Sequence, residues 1–133
     1  MRTPILSRFA AALLFAAAGC SRRPSEPVTP KTPAEPSYDL RLGKRVFTHY
    51  CQTCHGEAGA GDGFNAFNLD PKPRDLADPV SQKKSDADLA DAIRRGGAGV
   101  GLSPLMPPWG RTLTARQVEQ VVLYVRSLKR PPS

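Results

Sequence analysis

The stretch that decides the fold is the pentapeptide Cys51-Gln52-Thr53-Cys54-His55. Cys51 and Cys54 are three positions apart, so at a helix end their sulfurs project to the same side. Two thiols at that spacing can add to the two vinyl groups on one porphyrin edge, and the adjacent His55 can turn a ring nitrogen onto the iron. This pattern is the recognised signature of c-type haem attachment. It predicts one covalent haem c, with His55 as an axial ligand of the iron.

Three other interpretations of the cysteines compete with haem. A redox-active dithiol is expected after a strand in a βα unit, whereas here the cysteines end a helical pattern. A structural zinc site needs four ligands, and His49 is the only nearby candidate beyond the pentapeptide. A chance match in a cytosolic chain conflicts with the export signal described next. We therefore favour haem, with zinc as the main alternative.

Residues 1–19 form a predicted secretory signal. Arg2 and Arg8 give a basic region, the ten residues from Phe9 to Ala18 are all apolar, and Gly19 precedes Cys20. The apolar run is shorter than the about 20 residues that a membrane span needs. A buried core helix fits poorly, because the run has no polar face. We expect this segment to direct export of the chain.

Cys20 is a predicted lipid attachment site. Ala17-Ala18-Gly19-Cys20 resembles a bacterial lipobox, although the usual residue three before the cysteine is leucine. Ordinary cleavage that leaves a free thiol is the alternative. Lipid attachment is favoured because two of the three cysteines belong to the pentapeptide, which leaves Cys20 otherwise unexplained. The resemblance implies that Ser21, in place of Asp, directs the protein to the outer membrane of a Gram-negative bacterium.

Residues 20–37 form a predicted tether. Proline recurs at every third position, matching the three-residue turn of polyproline II: Pro24, Pro27, Pro30, Pro33 and Pro36. The segment has too few apolar residues to build a core. We interpret it as a spacer between a lipid anchor and the folded domain, with a proline-rich docking motif as the alternative.

The net charge of +7 favours a protein partner over nucleic acid. Loss of Arg2 and Arg8 with the signal lowers it to +5, and two haem propionates would lower it further. The basic residues are scattered, without aromatic interleaving or a groove-reading motif, so nucleic-acid binding has little support. A modest positive face suits an acidic protein partner.

Residues 38–133 form the predicted folded domain, which is all-α because helical signals dominate and strand signals are weak. Apolar residues at helical spacing predict a first helix over residues 40–51. Ser85 is a predicted N-cap for a second helix, which Gly96 ends.

A last helix is predicted after Thr114. Thr114 and Gln117 form a capping box, and Leu113 and Val118 form a hydrophobic staple. The apolar stripe of this helix consists of Val118, Val121, Val122, Val125 and Leu128.

Met106 is the predicted second axial ligand. It is the only methionine after Met1, and it lies in the loop Met106-Pro107-Pro108-Trp109 between the second and last helices. A thioether suits low-spin iron, and methionine together with histidine raises the reduction potential. The alternative is that Met106 fills a gap in the core. His49, the rival ligand, is interpreted as a solvated or packing histidine.

These segments together resemble class I c-type cytochromes, particularly the bacterial monohaem domains of terminal-oxidase subunits and small periplasmic carriers. The resemblance covers about residues 40–128. Beyond the pentapeptide it rests on Gly43 and Phe47, Gly56-Glu57-Ala58-Gly59-Ala60-Gly61-Asp62-Gly63, Pro73-Arg74-Asp75-Leu76, Ile93-Arg94-Arg95-Gly96, Met106-Pro107-Pro108-Trp109 and Val121-Val122-Leu123-Tyr124-Val125-Arg126-Ser127-Leu128. It implies a small all-α cytochrome c fold, with about three to four helices wrapped around one haem.

The resemblance also implies roles for single residues. Gly43 and Phe47 should pack on Tyr124 where the first and last helices cross.

In the haem pocket, the carbonyl of Pro73, or of Pro71, should accept a hydrogen bond from the second ring nitrogen of His55. Arg74 or Trp109 should bond a haem propionate. For Arg74 a solvated surface charge is the alternative.

The expected function is one-electron transfer on the extracytoplasmic side of the membrane, between respiratory or dehydrogenase partners. No small-molecule substrate and no catalytic residue are expected. One alternative is an enzyme or gas-binding sensor with an open or labile distal position on the iron. Another is a haem subunit of an oxidase or dehydrogenase in place of a free carrier.

Overall fold

The computed structural model describes residues 36–131. The predicted signal, Cys20 and the tether up to residue 35 lie outside the described residues. Five helices follow one another: α1 (Tyr38–Tyr50), α2 (Gln52–His55), α3 (Pro79–Gln82), α4 (Asp86–Gly99) and α5 (Ala115–Ser127), with a 3₁₀ turn at Ala66–Asn68 between α2 and α3. No strand occurs within residues 36–131, which confirms the predicted all-α class. Because α2 and α3 have only four residues each, three longer helices form the framework.

The centre of the core lies where α1 packs against α5. A Cβ added to Gly43 would lie 1.9 Å from the carbonyl oxygen of Gln120, so only glycine allows this close approach. Phe47 is fully buried, and its ring centroid lies 5.1 Å from that of Tyr124. The structure therefore brings Gly43 and Phe47 of α1 against Tyr124 of α5, in the arrangement that the family resemblance implies.

The first helix begins two residues earlier than predicted. The Ser37 hydroxyl accepts a hydrogen bond from the Leu40 N–H at 3.3 Å, which makes Ser37 the N-cap of α1. Ser37, the last residue of the predicted tether, therefore caps the first helix. The helix ends at Tyr50, and Cys51 forms the junction with α2.

Capping boxes start both later helices. Thr114 accepts from the Gln117 N–H, and the Gln117 side chain accepts from the Thr114 N–H at 2.9 Å, which confirms the predicted box on α5. Ser85 caps α4 as predicted, and Asp88 completes a second box there that the sequence analysis did not identify. These reciprocal bonds satisfy backbone donors that a helix start would otherwise leave unpaired.

The end of α4 differs from the prediction by one turn. Gly96 leaves the helical conformation, with φ of 70°, as the predicted stop requires. A further helical turn then runs to Gly99, where the sequence analysis expected loop. Among residues 36–131, none of the helices has the length and apolar character of a membrane span.

Candidate haem-binding site

A mainly apolar cleft of about 580 Å³ opens beside the core. Its volume lies in the range typical of pockets that enclose small molecules and cofactors. Phe47, Leu89 and Val121 of the core form part of its wall. Seven of the eight predicted site residues also line it: Cys51, Cys54, His55, Pro73, Arg74, Met106 and Trp109. The eighth, Cys20, lies outside the described residues.

The two cysteines lie at the junction of α1 and α2. The Cys54 N–H donates to the Cys51 carbonyl at 3.1 Å, and both side chains are partly buried and free of a disulfide. Burial, with the nearby Cys54 thiol, raises the pKa of Cys51 to about 12. A redox-active dithiol needs a thiolate and a lowered pKa, so this environment does not suit one.

The zinc alternative also lacks a donor cluster. Among residues 36–131, no three histidine, cysteine or carboxylate side chains converge so that they could hold a metal ion. His49, the proposed fourth ligand, is exposed, and its ring packs edge-on to Tyr50 at 4.5 Å, outside the cleft wall. This placement agrees with the interpretation of His49 as a solvated or packing histidine.

His55, at the end of α2, has one ring nitrogen bonded to the backbone. Its Nδ1 lies 3.1 Å from the carbonyl oxygen of Arg74. Since a carbonyl only accepts, Nδ1 carries the proton, and Nε2 keeps its lone pair for a metal. Burial lowers the pKa of His55, and the bond to Arg74 opposes that shift. A neutral imidazole is the form that binds iron.

The prediction that Pro73 accepts this bond is wrong by one residue. The Pro73 carbonyl lies against Gly61, where an added Cβ would be 2.2 Å from the oxygen. Gly61 has φ of +77° and no side chain, so the Pro73 carbonyl fits there, and the carbonyl of Arg74 faces His55 instead. Pro73 and Pro71 both line the cleft, but neither is the acceptor.

Met106 reaches the cleft from a loop that packs closely on the end of α4. The Gly97 N–H donates to the Met106 carbonyl at 2.9 Å. A Cβ on Gly96 would lie 2.8 Å from that same oxygen and 2.7 Å from the nitrogen of Pro108. The Met106 side chain is partly buried and packs against the core. Its role as an axial ligand stays a prediction.

Comparison with known proteins identifies the family. The family model described as cytochrome c oxidase, cbb3-type, subunit III matches residues 39–125, most of the described part of the chain. The chain belongs to this family of c-type cytochrome domains. The c-type cytochrome family and the all-α fold expected from the sequence are therefore confirmed.

Two curated relatives of this cytochrome are cbb3-type cytochrome c oxidase subunits named FixP. The one from Sinorhizobium medicae is 31% identical over 102 residues, which is 72% of this chain and 32% of the relative. The one from Azorhizobium caulinodans is 31% identical over 89 residues, which is 66% of this chain and 27% of the relative. The cytochrome thus spans about a third of the length of these relatives.

Solved structures agree with this assignment. The c-type cytochrome KustC0563 aligns with a TM-score of 0.54 and 28% identity, over 66% of this chain and 98% of that protein. A chain of the Kuenenia stuttgartiensis reducing HAO-like complex Kustc0457/Kustc0458 aligns with a TM-score of 0.56 and 30% identity, over 74% of this chain and 45% of that one.

Trp109 and Arg74 both line the cleft in this cytochrome. The backbone N–H of Trp109 donates to the Ile93 carbonyl at 2.9 Å, and the centroid of its ring lies 5.2 Å from that of Tyr50. Arg74 is exposed and forms no ion pair with any of residues 36–131. Contact of either side chain with a propionate stays a prediction.

An exposed aromatic pair that was not predicted from the sequence lies beside α2. Phe64 and Phe67 are 88% and 80% exposed. Their turn is joined to α2 by the Asn65 N–H, which donates to the Thr53 carbonyl at 2.8 Å. The available signal was two phenylalanines, three residues apart, in a segment otherwise rich in glycine and asparagine.

Proposed function

We propose that this cytochrome is a one-electron carrier with a single haem joined covalently to Cys51 and Cys54, and with His55 and Met106 as its axial ligands. The observation that carries the proposal is the convergence of these four side chains on one mainly apolar cleft. When bound, the haem supplies an iron centre that gains and loses one electron.

Different residues of the cleft would attach the haem, orient its ligands and exclude water from it. Cys51 and Cys54 fix the cofactor at the junction of α1 and α2, while the Arg74 carbonyl holds His55 in the tautomer that leaves Nε2 free. Met106 lies in a loop that is held to the end of α4, because the Met106 carbonyl accepts a hydrogen bond from the Gly97 N–H. The apolar walls exclude water, which together with a thioether ligand favours a high reduction potential.

The number of haems and their attachment are tested together by a pyridine haemochrome spectrum and an intact mass, on protein matured in a host with haem-ligation machinery. We expect one haem per chain and no alkylation of Cys51 or Cys54. Colourless protein in which both thiols react with iodoacetamide would overturn the proposal.

An enzyme or gas-binding sensor is the alternative function, and it requires an open or labile position on the iron. We propose instead that this cytochrome is not an enzyme, because Met106 lies in the cleft wall and is available as a second ligand. The ferrous spectrum of the holoprotein should therefore stay unchanged when carbon monoxide is added. A prompt shift of the Soret band would favour the sensor.

The partners that we propose are membrane respiratory or dehydrogenase complexes. Two relatives are by name oxidase subunits, and one structural relative belongs to an HAO-like complex. The exposed Phe64 and Phe67 support a small, short-lived contact beside α2, since large exposed apolar groups mark interaction sites. Co-purification of a mildly solubilised, tagged chain distinguishes a stable subunit, which keeps its complex, from a free carrier, which elutes alone.

We also propose export to the periplasmic side and attachment to the outer membrane through lipid on Cys20. The lipobox-like sequence supports this, as does the absence of any other use for that cysteine. A Cys20→Ser variant should incorporate no labelled fatty acid, while Ser21→Asp should keep the label and move to the inner-membrane fraction. Labelling of Cys20→Ser would contradict lipid attachment, and an unmoved Ser21→Asp would contradict the outer-membrane location.

A further inference from the structure

The Arg74 carbonyl that accepts from His55 belongs to a segment without regular secondary structure, between the 3₁₀ turn and α3. The hydrogen bonds of a helix orient the carbonyls inside it, but the Arg74 carbonyl lies outside any helix and needs other contacts to fix its direction. Because the peptide group is planar, the carbonyl of Arg74 and the N–H of Asp75 turn together. This peptide can turn only if ψ of Arg74 and φ of Asp75 change, so contacts that fix the carbonyl and side chain of Asp75 limit its rotation.

Three contacts hold Asp75. Its carbonyl accepts from the Ser81 hydroxyl at 2.5 Å. Its carboxylate accepts from the Ala77 N–H at 2.8 Å and pairs with the Arg130 guanidinium at 2.5 Å. Burial opposes ionisation of this carboxyl, but Arg130 and the Ala77 N–H hold its pKa below the usual value. Residue 75 is thus fixed through both its backbone and its side chain.

The flanking residues are fixed as well. The Pro73 carbonyl lies against Gly61, and the Leu76 N–H donates to the Gly59 carbonyl at 2.7 Å. Ser81 itself is 2% exposed, and it is the only buried serine or threonine among residues 36–131. A buried hydroxyl needs a hydrogen-bond partner, and the Ser81 hydroxyl finds it in the carbonyl of Asp75.

We propose that Ser81 is a positioning residue for the proximal haem ligand: through the carbonyl of Asp75 it keeps the Arg74 carbonyl bonded to His55 and thereby sets the reduction potential of the iron. This inference rests on the proposed ligation of haem by His55.

The direction of the effect follows from the bond. A carbonyl that accepts from Nδ1–H makes the imidazole a stronger donor, which favours ferric iron and lowers the reduction potential. Without the Ser81 hydroxyl, the carbonyl of Asp75 is held less firmly. The peptide between Arg74 and Asp75 can then turn, and the bond to His55 weakens. The potential then rises, and the Nδ1 proton of His55 exchanges faster with solvent.

The experiment uses the holoprotein with Ser81→Ala, and Ser127→Ala as the matched control. The Ser127 hydroxyl also donates to a backbone carbonyl, that of Tyr124 at 2.6 Å, but at the end of α5. Ser81→Thr retains the hydroxyl and serves as the rescue variant. Arg130→Gln, at an exposed position, removes the other support of Asp75 if Ser81→Ala fails to fold.

Redox titration and NMR exchange of the imidazole proton are the readouts. Ser81→Ala should raise the reduction potential, and it should speed exchange of the His55 Nδ1 proton at least tenfold. Arg130→Gln should shift both quantities in the same direction but by less. Ser81→Thr and Ser127→Ala should match the parent protein. Unchanged potential and exchange in Ser81→Ala and Arg130→Gln would overturn the positioning role. A parent protein without covalent haem or without a bonded His55 would instead overturn the proposed function.

Discussion

The core between α1 and α5 and the loops around the cleft are held together by different means. The core consists of apolar side chains packed across a close helix contact, as between Phe47 and Tyr124. The cleft loops are held by backbone hydrogen bonds between segments distant in sequence, as between Gly97 and Met106 or Leu76 and Gly59. Glycines at the loop contacts allow the backbones to meet.

This difference leads us to expect that a bound haem stabilises the two regions to different extents. Packing of α1 against α5 buries apolar surface without any cofactor. The loops, in contrast, surround a mainly apolar cleft of about 580 Å³, so a bound haem would cover more of their apolar surface. We therefore expect the core to tolerate loss of the haem better than the loops.

The largest effect is expected when the haem cannot be attached. In a Cys51→Ser, Cys54→Ser double variant, the amide protons of Gly97 and Trp109 should lose protection from exchange by more than tenfold, because the loops they anchor surround an unfilled cleft. The amides of Val121 and its neighbours in α5 should lose less. An equal loss of amide protection in the loops and in α5 would show that the core also depends on haem. The parent holoprotein is the reference.

Loss of the methionine ligand should come next. Met106→Ala should keep its covalent haem but lower the reduction potential by a substantial part of the about 0.8 V that axial ligands span. Leu123→Ala, at a 43% exposed position of α5 outside the cleft wall, is the matched control and should keep the parent potential. Redox titration measures both, and carbon monoxide should bind only to Met106→Ala. An unchanged potential in Met106→Ala would remove this residue from the ligand set.

On the core side, the most damaging single change is expected at Gly43. Gly43→Val places a branched side chain where even a Cβ would lie 1.9 Å from the Gln120 carbonyl, so α1 and α5 must separate. We expect a loss of about 3 kcal/mol or more in the free energy of unfolding of the holoprotein. Gly101→Ala is the comparison: it has open space but φ of +72°, so it should cost only about 1 kcal/mol. Equal losses in a denaturant titration would contradict the close contact.

The same division explains what the sequence could predict. The stripe from Val118 to Leu128, the cap at Thr114 and the attachment motif are local patterns, so they predicted α5 and the haem site. The family resemblance added the contact of Gly43 with Tyr124.

The cleft loops were less predictable, because no local pattern specifies which carbonyl meets a distant side chain. The resemblance implied the carbonyl of Pro73 or Pro71 as the acceptor for His55. The Pro73 carbonyl instead packs against Gly61, and the next carbonyl, that of Arg74, meets His55. The bond from Ser81 to Asp75 likewise depends on the path of the chain between α3 and the loop.

The smallest effect is expected at the start of α5, where the core side depends on a local hydrogen bond. Thr114→Ala removes the hydroxyl that accepts from the Gln117 N–H at 3.2 Å and should cost about 1 kcal/mol of unfolding free energy. Thr112→Ala, in the exposed loop before the helix, is the matched control and should change stability by less than about 0.5 kcal/mol. Because the cap lies on the core side, the reduction potential of Thr114→Ala should equal that of the parent. A shifted reduction potential would show that the start of α5 is coupled to the cleft. The core and the cleft loops would then not be independent.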